Sequence, residues 1–121
     1  MSLPLFTQRE ILFYAIMNQD INNVELCGKV GVVRINEIQG TKVADFSLVT
    51  KQYTDNVNIQ VCECTWHNVV VWESDDISLD KLEKGVRVHV TGKLRNSRYT
   101  GVDGSERIFT EVVASSFRIV R

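Results

Sequence analysis

Both tryptophans of the chain bracket one short segment, Trp66-His67-Asn68-Val69-Val70-Val71-Trp72. Its valine triplet and aromatics suit a pleated, half-buried surface, which predicts a strand. Alternation puts Trp66, Asn68, Val70 and Trp72 on one face and turns His67, Val69 and Val71 to the other. At about 3.3 Å per residue the two indoles lie roughly 20 Å apart along that face. Two large aromatic faces beside an amide form a surface on which planar ligands such as nucleobases could stack. A tryptophan taken alone is more often core than ligand platform, so the rest of the chain has to decide.

Three further groups of side chains could do chemistry. Cys62-x-Cys64-x-x-His67 has the look of a metal motif, but in a strand His67 faces away from both cysteines and no second ligand pair follows. No metal and no cofactor is therefore expected. Glu73, Asp75, Asp76, Asp80 and Glu83 form an acidic block, after which Arg87, Lys93, Arg95 and Arg98 follow with no acid between them. Such a basic stripe would suit a polyanion groove or, equally, a solvated face. His89 is an outward residue among those cations. There is no phosphate loop, no nucleophile elbow and no carboxylate pair in a recognisable setting, so an enzyme is not expected.

The elements that would position these residues are short strands. At 121 residues and a net charge of −1 the chain suits a single core that needs neither disulfides nor metal. Three cysteines, an odd set with no secretory segment, point to reduced thiols and a cytoplasmic protein. No hydrophobic run is long enough to span a membrane. Residues 7 to 18 open with the capping box Thr7-Gln8-Arg9-Glu10 ahead of Ile11-Leu12-Phe13-Tyr14-Ala15-Ile16-Met17, which predicts a helix apolar on most of its circumference. It is too short to stand alone and must dock on a sheet, a barrel end or a neighbour.

Strands are predicted over Val24 to Ile38, Lys42 to Gln52, Val57 to Glu73, Val86 to Tyr99 and Arg107 to Val120. Gly28 and Gly31 mark a bulge or tight bend in the first. A helical turn is predicted over Asp76 to Gly85, with Leu79 and Leu82 as anchors. Asp103-Gly104 signals a hairpin turn, whose glycine-rich tip should be loosely held. Five strands with a short helix between the third and fourth describe an all-β, five-stranded OB-fold barrel. Residues 1–22 form an N-terminal helical extension and residues 23–121 the OB domain.

The sequence resembles the bacterial single-stranded-DNA-binding protein family over roughly residues 22 to 120. Asn23-Val24-Glu25-Leu26-Cys27-Gly28-Lys29-Val30-Gly31 is similar to that family's N-K-V-x-L-x-G-x-L-G opening. Val43-Ala44-Asp45-Phe46-Ser47-Leu48-Val49-Thr50 resembles V-A-x-F-x-L-A-T, and the Trp66–Trp72 segment resembles W-H-x-V-V-x-F. Leu82-Glu83-Lys84-Gly85 and Val88-His89-Val90-Thr91-Gly92-Lys93-Leu94-Arg95 resemble L-x-K-G followed by V-x-V-x-G-x-L-R. Five ordered blocks are far more specific than W-H alone.

The resemblance implies an OB barrel that binds single-stranded DNA without regard to sequence, in replication, recombination or repair. It also implies a homotetramer, or a dimer, associated with the nucleoid. It assigns base stacking to Trp66, Trp72 and Tyr99. Tyr53 is the nearest match to a further stacking aromatic but sits one residue early, which in a strand would turn it to the opposite face. Phosphate contacts are assigned to Lys42, Lys51, Lys93, Arg95, Arg98 and Arg107. Many relatives end in an acidic tail that recruits other proteins; this sequence stops at Ile119-Val120-Arg121, so tail-mediated recruitment is not expected. Asn68 and Ser97 stand where relatives are often basic. With the apolar helix, these departures keep open an alternative: an OB-fold assembly module with weak nucleic-acid affinity.

Overall fold

The computed structural model describes residues 5–56 and 59–120. One helix, α1 (Gln8–Met17), precedes five strands: β1 (Val24–Ile38), β2 (Thr41–Asn56), β3 (Ile59–Trp72), β4 (Arg87–Thr100) and β5 (Glu106–Ile119). The strands close into a barrel in the order β1-β2-β3-β5-β4. Neighbours are antiparallel except β3 and β5, which run parallel through Val69↔Val112 and Val70↔Val113. This is the OB-fold that the strand pattern called for. The second strand continues four residues past its expected end at Gln52. Val57, the expected start of the third, lies outside the described residues.

Alternation produces the core. Ala44, Phe46 and Leu48 of β2 face Val69 and Val71 of β3, and Val88 and Val90 of β4 close the other side, all at 2 % exposure or less. Phe46 meets Phe117 edge-on, with ring centroids 6.1 Å apart. The β1–β2 register shifts between Val30 and Val33, the bulge that the glycines of β1 signalled. Within it the Val32 amide donates to the Ser47 hydroxyl (2.8 Å), which replaces a ladder bond lost at the bulge.

One expectation fails. No helix lies between β3 and β4. The segment there is a series of turns, bridged once at Ser74↔Ile77. The side chains of Ser74 and Ser78 accept from the amides of Asp76 and Asp80, local bonds that compete with a helix. Its buried residues Ile77, Leu79 and Leu82 are spaced two and three apart, which fits a winding plug rather than one helical face. The packing role of the expected helix is thus met without it. Gly85, at φ +93°, donates to the Val30 carbonyl, and Val30 donates to that of Val86, tying the plug back to β1.

The helix α1 forms with the expected capping box: the Thr7 hydroxyl accepts from the Glu10 amide, and the Glu10 carboxylate accepts from the Thr7 amide. Among the described residues it packs under no other element, and none of its own residues is buried. The linker is anchored instead, where Asn22 bonds both the amide and the carbonyl of Leu94 at 2.9 Å.

Candidate nucleic-acid interface

The outer face of β3 carries both tryptophans. Trp66 is 62 % and Trp72 41 % exposed, so neither belongs to the core. The Trp66 indole lies across β1 at Gly31, where a β-carbon would come within 2.8 Å of its ring and 2.5 Å of the Ser47 hydroxyl. Glycine therefore leaves room for the indole at this point of the barrel wall.

Pairing extends this face across four strands. Arg87 (β4) pairs with Lys29 (β1), Lys29 with Val49 (β2), and Val49 with Trp66 (β3). Partners in an antiparallel pair point the same way, so two cations and an indole share one row. At about 4.8 Å per strand the row spans roughly 14 Å. Beside it a cleft of about 280 Å³ is lined by Cys27, Gly28, Lys29, Val49, Lys51, Tyr53 and Arg87.

Tyr53 is a correction. The β2–β3 register runs unbroken from Val43↔Trp72 to Asn56↔Ile59 and sets Tyr53 opposite Cys62, on the Trp66 side. Counting from Val49, which faces out with Trp66, preserves parity; counting from the position of a resembling family loses it. Tyr53 is 62 % exposed, with Lys51 between it and Val49 on the same face.

Tyr99 lies on the projecting β4–β5 hairpin, half exposed and edge-on to Phe109 at 5.6 Å. Lys93, Arg95, Ser97 and Tyr99 share a face, opposite Val113, Glu111, Phe109 and Arg107. The turn at its tip is tied down rather than slack. The Gly101 amide donates to the Ser105 carbonyl at 2.7 Å, and the Asp103 carboxylate accepts from the amide and hydroxyl of Ser105. Those bonds hold the Asp103 carboxyl below its ordinary range.

The cations named from sequence divide sharply. Arg95 donates through Nε (3.0 Å) and Nη2 (2.6 Å) to Glu111, which is only 5 % exposed and also accepts from Ser97. Arg98 pairs with Glu106 at 3.4 Å and points to the side opposite Tyr99. Arg107 pairs with Asp103 at 3.7 Å. Lys42 has the inward parity of Ala44 at the barrel end, faces Glu37 across the ladder, and shares a hollow with Glu73, Asp75 and Asp80. Lys51 and Lys93 stand clear of acid partners among the described residues. Lys29 and Phe109 were missed, and Arg87 was noticed only as part of a stripe. Outward parity in β1 could have found Lys29, but the bulge hides that parity.

The histidines take structural places. His67 lies opposite Leu48, away from the cysteines, with Nε2 3.0 Å from the Thr50 hydroxyl. Partial burial lowers its pKa. His89 sits 3.1 Å from Glu25.

Comparison with known proteins agrees with this geometry. The sequence model of the Single-strand binding protein family matches residues 21–120. The single-stranded DNA-binding protein of Neisseria meningitidis serogroup A is 31% identical over 83% of this chain and 60% of its own length. That of Xanthomonas axonopodis pv. citri is 33% identical over 86% and 60%. The chain thus spans about 60% of the length of these relatives. A solved structure, the Plasmodium falciparum SSB complex with ssDNA, superposes with a TM-score of 0.72 at 28% identity, covering 85% of this chain and 97% of the other.

Proposed function

Since the chain belongs to the Single-strand binding protein family, we propose that its barrel binds single-stranded DNA without sequence preference, in replication, recombination or repair, and performs no catalysis. The observation that carries this reading is the outer-face row Arg87–Lys29–Val49–Trp66, continued by Lys51 and Tyr53. Exposed aromatics accept any base by stacking, each contributing about 1–3 kcal/mol, and nearby cations neutralise phosphates. Trp66, Tyr53, Trp72 and Tyr99 are the stacking residues. Lys29, Lys51, Arg87 and Lys93 are the phosphate contacts. Arg95 supports the fold through Glu111.

The test is a tryptophan-fluorescence titration with oligo-dT at several salt concentrations. Saturable quenching that weakens with salt is expected, and a flat signal would refute the reading. The working unit is a homotetramer or a dimer in the cytoplasm. Phe6, Leu12, Phe13, Tyr14 and Met17 are all more than half exposed, an apolar display that a lone chain leaves in water. Light scattering that finds a monomer at micromolar concentration would refute it. The same helix favours the second reading, an assembly module with weak DNA affinity. That reading predicts oligomers together with a flat titration.

A further inference from the structure

On the arm formed by β2 and β3, Cys62 and Cys64 are two residues apart on one strand face, both reduced and exposed. Their sulfurs are 3.6 Å apart and joined by a hydrogen bond. Across the ladder they face Tyr53 and Lys51 respectively.

Two chemistries are open to such a pair, and the geometry separates them. A disulfide requires the sulfurs to close to about 2.0 Å, with α-carbons usually about 4.4–6.8 Å apart. Same-face neighbours on an extended strand have α-carbons about 6.7 Å apart, at the limit of that range. Closing the bond would shorten the strand and break the register that holds Tyr53 and Lys51. Sharing one soft centre needs no such movement. Two thiolates about 2.3 Å from a tetrahedral d10 ion lie roughly 3.8 Å apart, close to the spacing already present. His67 cannot join them, because it faces the other side of the strand.

We propose that Cys62 and Cys64 form a two-sulfur site for a soft, thiophilic centre, and that filling it obstructs the neighbouring Tyr53–Lys51 patch. The site stands on its own geometry; the obstruction rests on the DNA-binding reading above. With a trivalent arsenical R–As=O the step balances without any oxidant. Two As–S bonds form, the As=O bond breaks, and both thiol protons leave with the oxygen as one water. No electrons are transferred.

The probe is phenylarsine oxide on the full chain, followed by intact mass and by oligo-dT titration. The wild type should gain one arsenical with loss of one water. It should hold this group about 100-fold more tightly against glutathione than either Cys62→Ser or Cys64→Ser does, as expected for two linked attachments. Cys27→Ser should retain the arsenical as the wild type does. Cadmium ion in parallel distinguishes a metal from a metalloid: competition between the two places both on the same sulfurs, and arsenical binding alone assigns the site to trivalent arsenic. Equal retention by wild type and the two serine variants would overturn the site. Bridged protein that binds oligo-dT with unchanged affinity would overturn the obstruction. Untreated protein that ignores oligo-dT would overturn the DNA-binding reading while leaving the bridged mass intact.

Discussion

Arg95 offers the sharpest test, because its sequence context and its structure assign it different work. Arg95→Ala removes the Nε and Nη2 donors from a carboxylate that is only 5 % exposed, leaving Glu111 with the Ser97 hydroxyl alone. Stranding a fully buried ion costs about 3–5 kcal/mol. Arg95 itself is half exposed, so water enters where the guanidinium was and recovers part of that cost. A loss of about 2–3 kcal/mol follows, and at roughly 4 °C per kcal/mol for a domain of this size melting should fall by about 10 °C. Removing the other partner should be milder. In Glu111→Gln the guanidinium is already half in water and rehydrates, at a cost of about 1 kcal/mol. The double variant should recover much of the Arg95→Ala loss, a coupling that a thermodynamic cycle isolates.

The assay pairs thermal melts followed by circular dichroism with the salt dependence of oligo-dT binding. If Arg95 supports the fold, the variant melts early while the slope of log affinity against log salt hardly moves. A phosphate contact would show the reverse pattern. Melting would stay within a degree or two of wild type, and the slope would fall by about 0.7 for one lost phosphate on a single strand. That second pattern would refute the structural role.

The remaining predictions use other parts of the same face. Trp66→Ala should leave the circular dichroism spectrum intact and weaken oligo-dT binding by about 1–3 kcal/mol, because the indole lies outside the core; a folded variant with full affinity would remove Trp66 from the site. Gly31→Ala sets a methyl against the indole and the Ser47 hydroxyl, so it should cost about 1–3 kcal/mol and alter tryptophan emission; unchanged stability and emission would show that the indole does not rest there. The folded pKa of His67 is depressed, so the unfolded chain binds the extra proton more readily. Its contribution is therefore complete above the unfolded value near 6.5 and is lost as pH falls through the folded pKa. Melting temperature should drop on acidification, and more steeply in wild type than in His67→Gln; parallel profiles would exclude His67 as the source.

The barrel was legible because its strands alternate cleanly. Val88 and Val90, or Val69 and Val71, declare an inner face with no help from distant residues. The capping box of α1 was equally local. The supposed helix before β4 was misread because leucines and a terminal glycine satisfy a helical pattern and a buried coil alike. Only the serine side-chain bonds to the Asp76 and Asp80 amides, and the tie from Gly85 to Val30, distinguish the two.

The site was legible in its aromatics and illegible in its charges, for a physical reason. A stacking residue advertises itself by type, and strand parity then settles whether it faces outward. A cation is available to a phosphate only if no carboxylate has claimed it, and the claimant here comes from across a ladder. Glu111 is sixteen residues from Arg95 in sequence, and Glu106 reaches Arg98 only because the β4–β5 hairpin folds back, while Asp103 in the turn pairs with Arg107 four residues on. Two of the four cations in the uninterrupted basic stripe, Arg95 and Arg98, are therefore already claimed by carboxylates. Lys29 gains its place from pairing with both Arg87 and Val49, a position that no local pattern marks. An interface built this way draws its affinity more from stacking than from charge. Its salt slope should accordingly correspond to the few free cations of the Trp66 face rather than to the full run from Arg87 to Arg107.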